Sequence, residues 1–468
     1  MSQVPLSQQV PPREVVLDLR VTQRMRSARQ HGQVSGFATV THAPSILSHL
    51  EGQRLYFYLM PGEGGATLVR SQHIKAKGVL RVLGPQASPT GFDRFLESQG
   101  VALSLSRGRV MEAGAVDNLF YAWCFSLAER FEALLRRGTP EHFASLANPY
   151  VAMLLGRKAA LTSGQKEAFT QSGTLHLFAI SGLHVGIIAL SLATLLALLR
   201  VPAKPAALIG LACLFLYVQI TEASPSAMRA FIMLSFFWGA RVFLRQGSAF
   251  AALVASALFV LVWDPRMLFN VGFQLSYAVV AGILLYGVPL MQVLWRSLRP
   301  WDDLPDSSKT RWQRLVIGGL HGGLGLFCIS FAASLMSTPL SIAYFGQCTP
   351  GGVLVNMALV SLAGLVMVCG FVSLGFGLLG LGGVSAFLNH AAWVLIYLME
   401  RGIAFFNALP GTSWEAGFTH PFWAFGALLG LFLLLIGLAS SRRFSAKKRA
   451  YLAPPGFLLV VLLLGLNY

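Results

Sequence analysis

Charged residues are scarce in this sequence. They make up 12% of its 468 residues, against 55% hydrophobic residues, and the mean hydropathy is +0.62. Because soluble domains carry about 25% charged residues, this composition excludes a wholly soluble protein and places most of the chain in lipid. The remaining charges are unbalanced, with 36 Lys and Arg against 19 Asp and Glu. Lipid headgroups and nucleic acid are the acidic partners that suit such a protein, and composition does not separate them.

Cysteine is rare as well. The five cysteines stand singly, and no two of them have the short spacing of a metal-binding pair: Cys124, Cys213, Cys328, Cys348 and Cys369. We therefore expect packed thiols rather than disulfides or a metal site, and no cofactor is predicted.

Long apolar runs are missing from the first 174 residues, where no stretch reaches the roughly 18 residues that indicate a membrane span. Residues 1–14 form a polar tail with prolines, and no signal-peptide pattern follows Met1. The front of the chain is therefore expected to be soluble.

Short alternating strands are predicted behind this tail, at 15–19, 36–40, 54–59, 74–83 and 101–105. About five strands joined by turns favour a small closed barrel over residues 15–111, for which the five-stranded OB fold is the natural candidate. Within about residues 15–110, twelve Lys and Arg oppose five Asp and Glu, a net charge of +7. The barrel is therefore expected to be strongly basic.

Basic and aromatic residues on these strands suggest a surface that guides a nucleic acid strand by charge and base stacking. Because neighbouring strand residues face opposite sides, Tyr56 and Tyr58 share one face and Phe57 lies on the other. Some of the aromatic residues are therefore expected to fill the core instead. The candidate guiding residues are Arg54, Tyr56, Tyr58, Lys75, Lys77 and Arg81.

The rest of the chain is predicted to be helical. An amphipathic helix at about 116–137 indicates an interfacial segment and connector over 112–174. Apolar runs follow, each near the length that crosses about 30 Å of hydrocarbon. They lie at 177–199, 206–221, 228–244, 249–263, 271–294, 316–336, 352–378, 385–408, 422–439 and 453–466. The fold class is thus a polytopic α-helical membrane protein of about ten spans with an N-terminal soluble β-barrel.

Basic loops give this protein a predicted orientation. They follow the first, third, fifth and ninth spans, and their residues are Arg200, Lys204, Arg241, Arg245, Arg296, Arg299, Lys309, Arg311, Arg314, Arg442, Arg443, Lys447, Lys448 and Arg449. Because cytoplasmic loops carry an excess of Lys and Arg, the odd-numbered exits are predicted to be cytoplasmic. The barrel is then outside the cytoplasm. We expect its transfer across the membrane to depend on the first span alone or on an upstream segment as well.

Four polar stretches with helix breakers interrupt the apolar pattern, at 173–186, 224–230, 264–278 and 338–347 together with Asn356. The first contains His-Leu-Phe-Ala-Ile-Ser-Gly-Leu-His-Val-Gly at 176–186. Taken in order over about 150–368, these stretches resemble the competence domain of the ComEC family of DNA-uptake channels. The barrel in front is also similar to that family's N-terminal domain.

The resemblance implies an inner-membrane channel, with its transmembrane domain at 175–440 and a basic loop and short last span at 441–468, that passes single-stranded DNA into the cytoplasm during natural transformation. Implied partners are single-stranded DNA, membrane lipids, a DNA receptor, a cytoplasmic helicase or ssDNA-binding protein, a separate nuclease and, in a homo-oligomer, further copies of the chain. Two features depart from the family pattern. Many members start with membrane helices before the barrel and end in a metallo-β-lactamase-like domain, but this sequence has no His-x-His-x-Asp-His run. We therefore expect no nuclease activity from this chain.

Polar groups at the four interruptions are candidates for lining or gating the path, because helix breaks at membrane depth need protein or water around them. Structural alternatives stay open: polar side chains also join helices, and an arginine near a span end can snorkel to the interface. The candidates are His176, Ser181, Gly182, His184, Ser224, Ser226, Arg229, Asn270, Gln274, Ser276, Gln347 and Asn356.

Two other functions fit parts of the sequence. A transporter for a small anionic solute predicts substrate-sized polar pockets and a barrel without DNA affinity. An intramembrane hydrolase using Ser181 and a histidine predicts labelling by serine-directed probes, although no orienting carboxylate accompanies this pair in the sequence.

The predicted orientation can be tested with single cysteines and an impermeant thiol reagent on intact spheroplasts. Cysteines at Ser307 and Ser445 should be shielded, because the positive loops place both in the cytoplasm, whereas one at Ser88 should react. Labelling of Ser307→Cys from outside would contradict the orientation.

Overall fold

The structure is a computed structural model that describes residues 12–25, 33–62, 68–83, 96, 100–139, 144–157, 161–178, 180–243, 248–305, 307–420, 422–440 and 448–467. Most of the predicted polar tail, Ser88, Arg245 and the predicted basic segment 441–447 lie outside the described residues.

Five strands form the front of the chain: β1 Arg13–Met25, β2 Val34–His42, β3 Arg54–Met60, β4 Gln72–Val82 and β5 Leu103–Val116. They close into a barrel in the order β1-β2-β3-β5-β4, in which β3 and β5 run parallel and the other paired strands run antiparallel. The predicted five-stranded closed barrel is confirmed, and its topology is compatible with an OB fold. Strands β1 and β5 are longer than the sequence pattern predicted.

Strand alternation determines what the barrel buries. On β3, Leu55, Phe57 and Leu59 point into a core that is closed to solvent, whereas Tyr56 and Tyr58 lie half-buried on the outer side. Removing this apolar surface from water stabilises the barrel by about 25 cal/mol for each Å² buried. The predicted opposition of Phe57 to the two tyrosines is confirmed.

Helices make up nearly all of the rest. They are α1 Leu119–Leu135, α2 Ala144–Leu155, α3 Ser163–Gln171, α4 Gly182–Leu198, α5 Ala203–Ile220, α6 Pro225–Val242, α7 Ala249–Trp263, α8 Val271–Gly282, α9 Val288–Leu298, α10 Arg311–Phe345, α11 Gly352–Leu378, α12 Gly382–Ala408, α13 Phe422–Ser440 and α14 Ala453–Gly465. A π-helical turn, Ile283–Gly287, joins α8 to α9.

Six described helical segments are long and apolar enough to cross a membrane: α5, the joined α8 and α9, α10, α11, α12 and α13. The other predicted spans correspond to α6 and to the shorter apolar helices α4, α7 and α14.

Several helix ends meet at one end of the bundle. Two short strand pairs join the ends of α10, α12 and α14, where Gln347 pairs with Glu415 and Gly417 pairs with Asn467. The barrel touches the ends of two further helices. Arg70 Nη1 donates to Gln219 Oε1 at the end of α5 (3.3 Å), and a Cβ built on Gly100 would lie 3.4 Å from Arg266 Nη1, just after α7.

Pro339 does not end a helix, contrary to what the sequence suggested. It is buried inside α10, which continues to Phe345 and ends at Gly346 with φ 65°. Proline removes one backbone donor, but nearby hydroxyl groups can satisfy the carbonyls that a membrane helix exposes. Thr338 Oγ1 donates to the Ser334 carbonyl (2.7 Å), one turn before the proline. The carbonyl that Pro339 deprives of its helical donor is that of Leu335, four residues earlier.

A buried polar cluster attaches α1 to the bundle. Asn389 on α12 is fully buried, and its Nδ2 donates to the carbonyls of Leu134 (2.9 Å) and Arg137 (3.2 Å) at the end of α1. Its Oδ1 accepts from Ser373 Oγ (2.7 Å) and Tyr150 Oη (3.2 Å). The last carbonyls of a helix have no partner within it, so Asn389 adds a donor for Leu134, which also accepts from the Arg137 amide (3.1 Å), and for the Arg137 carbonyl just after α1.

Ion pairs hold the other side of α1. Arg157, after α2, is buried and donates from Nη2 to Glu129 Oε1 (2.7 Å) and from Nη1 to the Glu132 carboxylate. Arg136 Nε also donates to Glu132 (2.9 Å). Helix α1 is thus bound to the bundle through polar contacts along two faces.

Replacing Asn389 with Leu should destabilise the protein, because the Arg137 carbonyl would lose the Asn389 amide and the Leu134 carbonyl would keep only the Arg137 amide as its donor. The loss should be at least about 1–3 kcal/mol, the cost of one buried polar group left without a partner. Thermal unfolding in detergent measures it. Ser361→Ala is the control, since Ser361 Oγ only bonds within its own helix. Equal melting temperatures for the two variants would contradict this role for Asn389.

Candidate functional site

The predicted polar stretches converge at the starts of four helices, α4, α6, α8 and α11. Ser224 Oγ accepts from Ala227 N (3.3 Å) at the start of α6, and Asn270 Oδ1 accepts from Phe273 N (3.2 Å) at the start of α8. Both are N-cap hydrogen bonds, which satisfy amide groups that have no partner within the helix.

Close approaches join these helix starts. A Cβ built on Gly182, at the start of α4, would lie 3.8 Å from Ala230 Cβ of α6. Gly173 has φ 70°, and a Cβ there would lie 3.5 Å from Thr349 Oγ1, just before α11. The four stretches therefore belong to one continuous region at the barrel end of the bundle.

Ser181 and His184 form a capping box at the start of α4. The Ser181 amide donates to His184 Nδ1 (3.3 Å), and Ser181 Oγ lies 2.8 Å from the same nitrogen. His184 is fully buried, with the Leu177 backbone and His176 close to its ring. Helix α4 begins only at Gly182, and the capping box brings Ser181 and His184 together.

His176 lies in a short 3₁₀ turn, Leu175–Phe178, before α4. Its Nδ1 donates to the Gly173 carbonyl (2.9 Å), and the side chain is exposed. The two histidines therefore differ: His184 is enclosed, whereas His176 presents its ring at the surface of this region.

Arg229 lies near the start of α6 and is only 8% exposed. A Cβ built on Gly272 of α8 would lie 3.3 Å from Arg229 Nη2 and 3.1 Å from Asn270 Oδ1. The guanidinium therefore faces the start of α8. A snorkelling arginine extends its head to water, which this buried guanidinium does not.

Gln274 connects α8 to the end of α10. Its Nε2 donates to the Leu268 carbonyl (2.9 Å), and its Oε1 accepts from Tyr344 Oη (3.1 Å). Sequence reasoning did not select Tyr344, although this residue belongs to the same polar stretch as Gln347. Its position in that polar stretch could have identified Tyr344 as a candidate.

The remaining candidates are dispersed around this region. Ser226 and Ser276 are half-buried on α6 and α8, and Gln347 lies in the strand pair with Glu415. Asn356 near the start of α11 has a buried Oδ1 without a hydrogen-bond partner among the described residues. The structure thus brings the α4, α6 and α8 candidates together and leaves Gln347 with the strand pair.

On the barrel, the candidate residues of β3 and β4 are joined by β5, which lies between them. Ser104 of β5 is opposite both Tyr56 of β3 and Arg81 of β4, and Ser106 is opposite Tyr58. Small serine side chains therefore separate the tyrosine row from the basic row. The three strands together form one outer surface.

A cleft of about 720 Å³ opens on this surface. It is lined by Glu14, Gln33, Tyr58, Met60, Lys77, Ser106, Arg107, Gly108 and Arg109. Two exposed arginines in this lining, Arg107 and Arg109, are absent from the sequence-based candidates. In the sequence they contributed only to the number of Lys and Arg residues in the barrel.

A β-bulge explains why both arginines reach the cleft. Arg107 has φ 52°, and the register shifts on both sides of β5 at this point. A bulge breaks the alternation of faces and redirects a side chain. The next residue must be Gly108, because a Cβ there would lie 1.8 Å from the Lys77 carbonyl oxygen.

Other guiding candidates make contacts within the barrel. Arg54 stacks over the Phe37 ring at 5.7 Å, Tyr56 meets the same ring edge-on at 5.9 Å, and Lys77 pairs with Glu14 at 3.2 Å. Lys75 and Arg81 are exposed. A ligand on this surface would therefore reach Tyr58 more freely than Arg54 and Tyr56. It would also reach the exposed cations Lys75, Arg81, Arg107 and Arg109.

Metal and nucleophile chemistry find little support in this region. Among the described residues, no group of three His, Cys, Asp or Glu could hold a metal ion. No carboxylate contacts His184 in the described part of the chain. The Ser181 and His184 pair therefore lacks the orienting acid that a serine nucleophile ordinarily uses.

Comparison with known proteins gives a family match: the model of the competence protein family matches residues 153–441. This range contains the starts of α4, α6, α8 and α11. No solved structure matches the chain.

Curated relatives agree with this match. The chain is 31% identical to ComE operon protein 3 of Bacillus subtilis over 210 residues, which are 45% of this chain and 24% of that protein. It is 28% identical to Recombination protein 2 of Haemophilus influenzae over 344 residues, 71% of this chain and 40% of that protein. It is 34% identical to Competence protein ComA of Neisseria gonorrhoeae over 143 residues, 28% and 20% of the two chains. The alignments thus span less than half the length of these relatives.

Proposed function

The chain belongs to the competence protein family, and from this premise we propose that it is the inner-membrane channel that passes single-stranded DNA into the cytoplasm during natural transformation. One observation carries the proposal. The polar groups of separate sequence stretches meet at the starts of α4, α6 and α8, at the end of the bundle where the barrel sits.

The chemistry of the cargo requires such a region. Even one charge at the bilayer centre costs about 2.5–3.5 kcal/mol on insertion scales, and a DNA strand carries one charge per nucleotide. A lined path is therefore needed, and helix starts suit a polyanion because each carries a partial positive charge. His176, Arg229 and the caps of α6 and α8 are the proposed lining.

The proposed arrangement has ten spans with the barrel outside the cytoplasm. Ten spans alternate in direction, so the C-terminal ends of the even-numbered spans lie on one side of the membrane. These spans are α5, α7, α10, α12 and α14. The strand pairs that join α10, α12 and α14, together with the barrel contacts at the ends of α5 and α7, agree with this alternation. By the positive-inside rule, the basic loops support an orientation in which that side is opposite the cytoplasm.

The barrel is proposed to guide the strand to the helix starts. Its outer surface combines Tyr58 with Lys77, Arg107 and Arg109 around one cleft. Aromatic faces and cations on one groove bind single strands with little sequence preference. Other competence proteins and a separate nuclease are proposed to supply the strand and to receive it.

A hydrolase remains the second candidate, because Ser181 Oγ lies 2.8 Å from His184 Nδ1. It requires covalent labelling of Ser181 by serine-directed probes, an outcome that would replace the channel proposal.

The barrel, produced as residues 12–117 so that all of β5 is included, should bind single-stranded DNA weakly and with strong salt dependence. Charge neutralisation releases counterions, so replacing Arg107 and Arg109 with Gln should reduce the log–log salt slope by about 0.7 for each arginine that contacts a phosphate. Fluorescence anisotropy over a salt series measures this. Glu14→Gln is the opposite-sign control, since it frees Lys77 and should tighten binding. An unchanged slope in the double variant would contradict the assigned surface.

His176→Leu and Arg229→Gln should each abolish transformation and uptake of labelled DNA into the cytoplasm while surface-bound DNA stays normal. A pore for a polyanion depends on a few polar groups at its narrowest part. Leu195→Ile, at a 51% exposed position on α4, is the control and should transform normally. Loss of the variants from the membrane would mean that these residues only join helices. Normal transformation would favour a solute transporter.

A further inference from the structure

Arg229 is a buried cation that has no counterion among the described residues. It is 8% exposed, its Nε has no hydrogen-bond partner, and its guanidinium makes no hydrogen bond or ion pair within the described part of the chain. Removing the partner of a buried charge strongly destabilises a protein. A bound anion would therefore stabilise this buried arginine.

The guanidinium also faces a second positive group, the start of α8. A Cβ built on Gly272 would lie 3.3 Å from Nη2 and 3.6 Å from Nη1. Asn270 Oδ1 caps the Phe273 amide, and the amides of Val271 and Gly272 come before the first intrahelical bond. The aligned peptide dipoles give this helix start about half a positive charge, which repels Arg229 unless an anion lies between them.

Tyr277 is the other polar neighbour of Arg229. Its phenol is neutral at physiological pH and does not balance the guanidinium. Gly272 contributes by having no side chain, since this lets a ligand approach the backbone amides. Two donors of different kinds therefore converge on a place where the described residues supply no acceptor with negative charge.

We propose that Arg229 and the start of α8 bind one phosphate group of the DNA strand. The guanidinium presents a fork of N–H donors that matches two phosphate oxygens, and the amides of Val271 and Gly272 donate from the opposite side. This assignment rests on the proposed function, because it takes the phosphate from a passing DNA strand.

The test uses the full chain purified in a maltoside detergent, whose headgroup carries no phosphate. Inorganic phosphate should raise the melting temperature above that in chloride at equal ionic strength, because a ligand bound only to the folded state stabilises it. Arg229→Gln and Gly272→Ala should each weaken phosphate binding by about tenfold or more, the value of a hydrogen bond to a charged group. Arg229→Lys, which keeps the charge and loses the fork, should lie between.

Two control variants match these changes. Arg311→Gln removes an exposed arginine at the start of α10, and Gly426→Ala adds a methyl group where nothing lies within 4 Å. Both should keep the wild-type response to phosphate. A wild-type melting temperature that ignores phosphate, or an equal response in Arg229→Gln, overturns the site.

The source of the phosphate is decided by two further probes. A single-stranded oligonucleotide should stabilise the wild type and not Arg229→Gln, whereas phosphatidylglycerol should do neither. Stabilisation by phosphatidylglycerol alone would make the site a lipid headgroup site and overturn the assignment to DNA. A transformation assay distinguishes failure of the site from failure of the channel proposal. If the protein does not respond to phosphate but Arg229→Gln still loses transformation, the phosphate site is wrong and the channel proposal is retained.

Discussion

Lipid offers no hydrogen bonds, so every polar group in the helical part of this protein has to find its partner within the protein. Asn389 shows how far this constraint reaches. Its amide joins α12 to three other helices, and one of these, α1, follows the last barrel strand by only two residues. The contact that completes the end of α1 therefore also limits where the barrel can sit. Arg70, stacked 4.4 Å over Tyr121, adds a second point of attachment.

The same constraint makes the exceptions informative. Most polar groups at the helix starts are satisfied locally, as Ser181 and Asn270 are by their own caps. Arg229 Nε and Asn356 Oδ1 are not satisfied within the described residues. Buried polar groups are normally paired, and unpaired ones concentrate where a protein keeps donors ready for a ligand. The region between α6 and α8 is such a place.

The barrel meets the opposite problem, because its outer surface faces water and its cations need no partner to be stable. What organises them is backbone geometry. The bulge at Arg107 turns two arginines toward Tyr58, and Gly108 is the residue that lets β5 approach β4 at this point. A basic strand surface with one aromatic face is thus built by strand order and a single irregularity rather than by a sequence motif.

Local periodicity determined much of this protein from the sequence alone. Period-two alternation predicted the barrel strands and the opposite faces of Tyr58 and Phe57, and apolar run length predicted the helices, because both signals depend on neighbours along the chain. Pro339 was misjudged as a break for the same reason: whether a helix continues through a proline depends on the packing around it, and Pro339 is buried inside α10. Only the tertiary structure placed β5 between β3 and β4 and set Arg229 against Gly272. Such contacts join residues far apart in sequence, and they depend on how whole strands and helices pack, which no local pattern records.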